Sequence, residues 1–229
     1  MEVNEFEKMM KSKEDVEIIN KKFLWKEFQL AANRNIEAES FNQESKCAFE
    51  FNEDNRKIVL TILRYFSGYD DFNEFGVIKN NPSLSKGLLV SGDLGVGKSI
   101  LFKILSEAGR SLYLKTGFKR MNFKSISCGD FVGLYMASSK KKHLEFNLST
   151  FQKIKLYIDD LGVEPKAFNA YELMEQVLFE RYRNNALTFI TTNLTPLEIA
   201  ERYGARIGDR LPEMCNIIIW KGDSFRHEK

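Results

Sequence analysis

Hydrophobic and polar positions alternate along this chain in blocks that predict short strands separated by amphipathic helices. Short apolar runs predict strands at 87–91, 123–128, 156–159, 188–192 and 217–220. Apolar residues at helical spacing predict helices at 98–109, 130–138, 169–184 and 196–203. Strands that alternate with helices form a parallel sheet covered on both faces, so we expect an α/β fold of this kind.

Three of the helices have clear signatures. The helix predicted at 53–67 carries one apolar stripe, made of Ile58, Val59, Ile62, Leu63 and Phe66. The apolar face of the 169–184 helix is predicted to hold Ala170, Leu173, Met174, Val177, Leu178 and Tyr182. Before the last helix, Thr195 is followed by Pro196 and Glu198, which is the pattern of a capped helix start.

The first 52 residues differ from the rest of the chain. They are rich in charged and amide side chains, and Phe23, Leu24, Phe28 and Ala31 are apolar residues at helical spacing. We therefore predict a small helical N-terminal extension over 1–52, which we expect to bind a partner. The second predicted domain is the α/β unit over 53–229.

The amino-acid composition indicates the cellular compartment of the protein. Three scattered cysteines, Cys47, Cys128 and Cys215, argue against a disulfide framework or a zinc site and for a reducing environment. The N-terminus is acidic and lacks the form of a signal peptide, and no apolar run approaches the length of a membrane span. We expect a cytoplasmic protein without a membrane partner.

Charge is unevenly distributed, although the net charge is only +2. Residues 103–155 contain 11 Lys and Arg against 3 Asp and Glu, a balance of +8. The basic positions include Lys115, Lys119, Arg120, Lys124 and Lys140–Lys142. Such a concentration is typical of a nucleic-acid-binding face, but a solvated surface explains it equally well.

The most informative motif is Gly92-x-x-x-x-Gly97-Lys98-Ser99, which lies between a predicted strand and a predicted helix. This is the context of a loop that wraps a polyphosphate with backbone N–H groups. Lys98 would reach the β- and γ-phosphates, and the Ser99 hydroxyl would bind Mg²⁺. The predicted nucleotide-binding residues are Gly92, Asp93, Leu94, Gly95, Val96, Gly97, Lys98, Ser99 and Ile100.

Polar residues follow two further predicted strands. Asp159 and Asp160 end the strand at 156–159, and Asn193 follows the strand at 188–192. In a parallel sheet these ends lie at one edge, so Asp159 is predicted to hold Mg²⁺ and Asp160 to act as the general base. The Asp160 side chain is short for that role, which predicts slow hydrolysis. Asn193 is predicted to hydrogen-bond the attacking water or the γ-phosphate.

Several motifs together resemble one family. They are Gly92–Ser99, Ile158–Gly162, Ile190–Leu194, Tyr203–Leu211 and Lys221–Arg226. This combination is similar to the AAA+ ATPases of the DnaC/IstB type, over about residues 53–226. The resemblance implies a P-loop NTPase fold that binds ATP and Mg²⁺, hydrolyses ATP to ADP and phosphate, and works as a homo-oligomer. Because the sequence stops at 229, we expect no C-terminal helical lid domain.

The resemblance also implies roles for three arginines. Arg210 matches the arginine finger, which would act in trans on ATP bound to the neighbouring protomer. Arg206 lies one helical turn earlier and is the alternative finger, although both arginines could simply pair with Glu201 or Asp209. Arg226 matches a phosphate-sensing arginine.

The implied partners are single-stranded DNA and a replicative DNA helicase. The candidate DNA segment is 129–148, with Lys140, Lys141 and Lys142 as the predicted DNA-binding residues and with Phe131 and Tyr135 either stacking on bases or belonging to the core. The helicase would engage the N-terminal extension. Two alternatives remain open: a transposition helper that acts on duplex DNA with a transposase, and a nucleotide-gated adaptor with little hydrolysis.

Overall fold

Five parallel strands form the sheet in the part of the chain that the structure describes. The computed structural model describes residues 16–41, 51–140 and 146–224, without the side chains of 36–41 and 140. The strands are β1 (Gly87–Gly92), β2 (Lys124–Ser127), β3 (Leu156–Leu161), β4 (Thr188–Thr192) and β5 (Cys215–Trp220). Their order is β2-β3-β4-β1-β5, and every neighbouring pair is parallel. The carboxyl ends of β3, β4 and β1 therefore lie side by side.

Helices precede the first strand and lie between all successive strands, and the hydrophobic spacing predicted most of them. They are α1 (Lys21–Phe41), α2 (Glu53–Ser67), α3 (Lys98–Thr116), α4 (Cys128–Lys140), α5 (Leu148–Phe151), α6 (Leu173–Arg183), α7 (Pro196–Tyr203) and α8 (Ala205–Met214). The observed bounds of α2 and α7 equal the predicted ones. At the start of α7, Thr195 and Glu198 form the expected reciprocal cap. A 3₁₀ turn (Asp70–Asn73) lies between α2 and β1.

The predicted bounds of two helices need correction. α3 ends at Thr116 rather than at 109. α6 begins at Leu173 rather than at 169, because Phe168 and Asn169 adopt left-handed backbone angles, with φ of +53° and +57°. Ala170 is consequently exposed in a turn instead of lying on the apolar face. α5 and α8 were not among the predicted helices, although Arg206 and Arg210 were expected to lie one helical turn apart. In α8 only Ile207 and Leu211 are buried, so its apolar pattern is short.

Strand β1 shows how the sheet is buried on both faces. Leu88 and Val90 belong to one apolar cluster, which includes residues of α1, α2 and α3. Leu89, between them, belongs to a second cluster, which includes residues of α4, α6, α7 and α8. Successive side chains of a strand point to opposite faces, so helices cover both sides of the sheet, as expected for a parallel α/β fold.

Helix α1 packs along α3, the helix that follows the glycine-rich loop. Its Glu27 is only 2% exposed and accepts hydrogen bonds from Ser111 Oγ at 2.8 Å and Lys115 Nζ at 2.7 Å. One turn before those partners, Glu107 Oε2 accepts a hydrogen bond from Asn35 Nδ2 at 2.8 Å. The described part of the N-terminal extension thus shares a core with the α/β unit. The domain boundary at residue 52 stays a prediction.

Part of the basic stretch is structural. Arg120 is 9% exposed and donates hydrogen bonds to the backbone oxygens of Tyr65 and Leu84, each at 3.0 Å. Burial lowers the pKa of its guanidinium. Lys115 is tied to Glu27. Arg120 therefore contributes to the core rather than to a nucleic-acid-binding surface.

Candidate nucleotide-binding site

The glycine-rich loop joins β1 to α3, as its motif predicted. Gly95 and Gly97 have φ of +81° and +97°, in the region that glycine adopts without strain. Gly97 precedes the first residue of α3, and no side chain caps that helix end. The first N–H groups of a 19-residue helix are thus left to the loop side, where the helix dipole favours an anion. This end of the fold suits a phosphate group.

Lys98 is the first residue of α3, and its side chain lies against the glycine-rich loop, with the residue 5% exposed. Its ammonium donates to the backbone oxygens of Gly92 at 2.9 Å and Asp93 at 2.7 Å, and to Asn193 Oδ1 at 2.8 Å. The structure therefore brings together Lys98, at the start of α3, and Asn193, just after β4. Their roles toward phosphate stay predictions.

Asp159 lies on β3 and contacts Ser99 at the start of α3. The Ser99 hydroxyl donates to Asp159 Oδ1 at 2.8 Å. Because the Ser99 hydroxyl donates its only proton to this hydrogen bond, the lone pairs of its oxygen are available to a cation. A hydroxyl oxygen and a carboxylate are ligands that Mg²⁺ prefers, so these two residues fit the predicted metal site.

The pattern of motif residues did not reveal two further hydroxyls at Asp159. Tyr157 Oη and Thr191 Oγ1 each lie 2.5 Å from Asp159 Oδ1. Burial first, and then the Asp159 charge, raises the pKa of Tyr157 well above its ordinary value, so the phenol stays protonated. Strand alternation could have indicated Tyr157, since a residue two positions before Asp159 faces the same side of the sheet.

Asp160 occupies an irregular position in β3. The pairing of β3 with β4 shifts between Ile158 and Leu161, which is the mark of a β-bulge. Asp160 itself has φ of +52°, and its N–H donates to Thr191 Oγ1 at 3.2 Å. A bulge at the end of a strand re-aims a side chain, and such irregularities are frequent next to active sites.

A surface cavity of about 860 Å³ opens beside this group. Ser99, Tyr157 and Asp159 line it at the end of β3, and the rest of its wall comes from α3, β2 and α4. Among those other residues are two cations, Lys103 and Arg110. The cavity thus extends from the predicted metal site to α4, the helix that leads to Lys141 and Lys142 in the sequence.

The candidate finger arginines lie on α8, where both stack on aromatic rings of α6. Arg206 lies 5.0 Å from the ring centre of Phe179, and Arg210 lies 5.1 Å from that of Tyr182. Arg210 also forms ion pairs with Glu213 at 3.0 Å and with Asp209 at 3.4 Å. The expectation that the two arginines share a helix face is met, and pairing of Arg210 with Asp209 is present. Action in trans stays a prediction.

Aromatic side chains cluster between α4 and the loop after β3. Tyr171 Oη donates to Tyr135 Oη at 3.0 Å, and Phe168 meets the Tyr135 ring edge-on at 6.0 Å. Phe168 and Tyr171 are exposed. Phe131, by contrast, is fully buried. Phe131 and Tyr135 were predicted either to stack on bases or to belong to the core, and Phe131 belongs to the core.

Comparisons with known proteins were made at the levels of sequence and structure. No protein-family model matches this chain, and no curated protein matches it. Solved structures do match. The crystal structure of the DnaC helicase loader is 24% identical, with a TM-score of 0.55, over 76% of this chain and 93% of that chain. The two chains share a fold.

Two further structures share this fold. The DnaI crystal structure is 23% identical, with a TM-score of 0.51, over 78% of this chain and 88% of that one. AMPPCP-bound DnaA from Aquifex aeolicus is 16% identical, with a TM-score of 0.50, over 77% of this chain and 49% of the other. At these identities the likeness establishes the fold.

Some sequence-based predictions fall outside the described residues. Lys141, Lys142 and Arg226 lie there, as does the side chain of Lys140. Within the described ranges no helix is long and apolar enough to cross a membrane. Those same ranges hold no group of three or more His, Cys, Asp and Glu side chains placed to bind a metal.

Proposed function

We propose that this chain binds ATP with Mg²⁺ and hydrolyses it to ADP and phosphate. The observation that carries the proposal is the convergence of four side chains from three adjacent strand ends: Lys98 and Ser99 after β1, Asp159 on β3 and Asn193 after β4. An uncapped helix start faces the same place. A lysine, a hydroxyl, a carboxylate and an amide around an anion site are the parts that phosphoryl transfer needs.

Each residue then has a defined task. Lys98 and the N–H groups of the loop hold the β- and γ-phosphates, and Ser99 with Asp159 would hold Mg²⁺, which supplies positive charge to the phosphate oxygens. Asp160 takes a proton from the attacking water. The water oxygen forms a bond to the γ-phosphorus, and the bond from that phosphorus to the oxygen that bridges it to the β-phosphate breaks, which releases ADP. Asn193 donates to the water or to the γ-phosphate.

Oligomerisation belongs to the same proposal. Arg210 is partly exposed on α8, and its described partners come from α6 and α8 rather than from the loop. A neighbouring protomer that receives Arg210 at its γ-phosphate would gain the positive charge that an arginine finger supplies. We infer a homo-oligomer in which each nucleotide lies between two protomers.

For the biological role we propose loading of a replicative DNA helicase onto single-stranded DNA. The DnaC-type fold supports a role in replication, since one matched protein is named a helicase loader. The exposed rings of Phe168 and Tyr171 support contact with unpaired bases, because stacking on aromatic side chains is how proteins hold single strands. We propose that Lys140, Lys141 and Lys142 neutralise the DNA backbone.

The activity is tested by steady-state ATP hydrolysis of the full chain, with and without single-stranded DNA. We expect slow hydrolysis that single-stranded DNA stimulates, and loss of turnover in K98A. The matched control is K57A, which removes an exposed lysine on α2 and should leave turnover unchanged. Binding without hydrolysis under every condition would instead support the nucleotide-gated adaptor. Stimulation by duplex DNA alone would favour the transposition helper.

The helicase and DNA contacts need separate tests. A variant without residues 1–15 keeps every residue that the structure describes. It should bind ATP but should no longer bind a replicative DNA helicase from the same genome. Changing Lys140–Lys142 together to Gln should reduce the slope of log affinity for single-stranded DNA against log salt by about 2, at about 0.7 per phosphate contact. An unchanged slope would remove these lysines from the DNA interface.

A further inference from the structure

Three hydroxyl groups converge on a single oxygen of Asp159. Ser99 Oγ lies 2.8 Å from Oδ1, while Tyr157 Oη and Thr191 Oγ1 lie 2.5 Å from it. All of the described hydrogen bonds to this carboxylate end on Oδ1. The other oxygen, Oδ2, is therefore the one left for a cation.

Two of these hydroxyls come from rigid, buried side chains. Tyr157 is 4% exposed, and its ring stacks on Phe102 with centres 4.4 Å apart and planes at 8°. Thr191 is fully buried in β4. The two hydroxyl oxygens are 3.0 Å from each other, and because each donates its single proton to Asp159 Oδ1, they are held together by this shared acceptor. Such an arrangement holds the carboxylate in one rotamer.

Thr191 also reaches the candidate general base. Its Oγ1 accepts a hydrogen bond from the backbone N–H of Asp160 at 3.2 Å. The same hydroxyl thus contacts Asp159 and the backbone of the bulge at Asp160. The positions of the two acids are coupled through one buried side chain of the neighbouring strand.

We propose that Tyr157 and Thr191 are positioning residues that hold Asp159 in the orientation in which its free oxygen binds Mg²⁺. The inference rests on the proposed ATP·Mg²⁺ site and adds two residues to it. Neither residue touches nucleotide in this account, and both act through Asp159. Groups that orient a metal ligand are worth about 10–100-fold in metal affinity, so their loss is measurable.

The experiment compares Y157F with the wild-type chain by equilibrium binding of a fluorescent ATP analogue. Binding is measured in EDTA and during a Mg²⁺ titration. The change removes the hydroxyl and keeps the ring on Phe102. Because Thr191 still holds Asp159, we expect the half-saturating Mg²⁺ concentration to rise about tenfold, at the low end of the usual range. Affinity in EDTA, which depends on the loop and Lys98, should be unchanged.

Two controls separate positioning from stability. Tyr65 is another fully buried tyrosine, whose hydroxyl donates to the backbone oxygen of Lys86 at 2.7 Å, away from Asp159. Y65F should lower the thermal midpoint without moving the Mg²⁺ midpoint. At the second position, T191V should raise the Mg²⁺ midpoint, and T191S, which restores the hydroxyl, should return it toward the wild-type value.

Each outcome decides between the proposals. A wild-type Mg²⁺ midpoint in Y157F, or an equal shift in Y65F, overturns the positioning role and leaves the proposed ATP site standing. Equal loss of binding in EDTA and in Mg²⁺ by Y157F also overturns it, because the defect is then structural. If the wild-type chain binds no nucleotide, the proposed function fails, and this inference fails with it.

Discussion

Asn193 Oδ1 accepts a hydrogen bond from Lys98 Nζ at 2.8 Å, although the two residues are 95 positions apart. The contact exists because β4 pairs directly with β1, so that the polar residue after one strand reaches the lysine after the other. A phosphate bound by Lys98 would lie next to the Asn193 amide. This geometry predicts that Asn193 acts in the chemical step.

We expect N193A to bind ATP almost as well as the wild type but to hydrolyse it about a hundredfold more slowly, the usual effect of removing one donor to a developing charge. Single-turnover hydrolysis measured beside equilibrium binding separates the two quantities. N122A, which removes an exposed asparagine between α3 and β2, is the control and should change neither. Equal losses of binding and turnover in N193A would show that Asn193 only supports the loop.

The left-handed backbone at Asp160 predicts which substitutions the bulge tolerates. Asp and Asn enter this region more readily than residues with longer side chains, for which it costs about 1–2 kcal/mol. D160N should therefore keep its stability and lose hydrolysis, whereas D160E should lose about 1 kcal/mol of unfolding free energy. Urea unfolding measures this difference.

The control for D160E is D54E, the same change in the first turn of α2, where the backbone is helical and the expected effect is negligible. If D160E unfolds at the same urea concentration as the wild type, the backbone does not select Asp at this position. A D160E variant that is stable and faster would point instead to side-chain reach as the limit on the rate.

Glu27 predicts an acid-sensitive contact between α1 and α3. Burial alone would raise the pKa of this carboxyl, but hydrogen bonds from Lys115 and Ser111 lower it below the ordinary 4.5. Its stabilisation is therefore complete above about pH 4.5 and is lost as the pH falls through the lowered pKa. At neutral pH, E27Q should lose about 2 kcal/mol of unfolding free energy.

The difference between E27Q and wild type should shrink on acidification, which urea unfolding across a pH series measures. The control is E53Q, because Glu53 pairs with Arg56 at an exposed site and should contribute well under 1 kcal/mol. A constant difference from neutral to acidic pH would mean that the Glu27 charge is not what holds α1 against α3.

Arg210 and Lys98 should complement each other between protomers. R210A and K98A should each be inactive, with the loss at Arg210 on the order of a thousandfold. Mixing them creates interfaces in which one protomer supplies Lys98 and its neighbour supplies Arg210, so hydrolysis should return in part. Mixtures of K98A with D160N, whose defects both lie on the nucleotide-binding side, should stay inactive.

The same mixture identifies the finger. If R206A complements K98A and R210A retains activity alone, Arg206 is the residue that acts in trans. If neither arginine variant loses activity, the site does not lie between protomers.

Much of the architecture could be predicted from the sequence, because local signals agree with tertiary packing. The loop from Gly92 to Ser99 lies between a strand and a helix as predicted, and the apolar stripe of α2 is buried. The start of α6 was predicted wrongly, since left-handed angles at Phe168 and Asn169 override the apolar spacing. Spacing does not report backbone conformation at single residues.

The site was only partly predictable for a related reason. Motifs indicated Lys98, Asp159 and Asn193. In the structure Lys98 contacts Asn193, and Asp159 contacts Ser99, the residue after Lys98. Tyr157 and Thr191 carry no motif, and their importance follows from a shared contact with Asp159 that depends on strand pairing. Charge counting likewise placed Arg120 with exposed lysines, whereas its guanidinium satisfies backbone oxygens inside the fold.

The most direct test of the account is equilibrium binding of ATP in the presence of Mg²⁺ to the wild-type chain and to K98A, by calorimetry on the same day and at the same salt. We predict saturable binding to the wild type and binding to K98A that is weaker by a factor on the order of a hundred, because a charged hydrogen-bond donor to phosphate is lost. Equal affinity of the two proteins, or no saturable binding by the wild type, would contradict the assignment of a nucleotide site at Lys98.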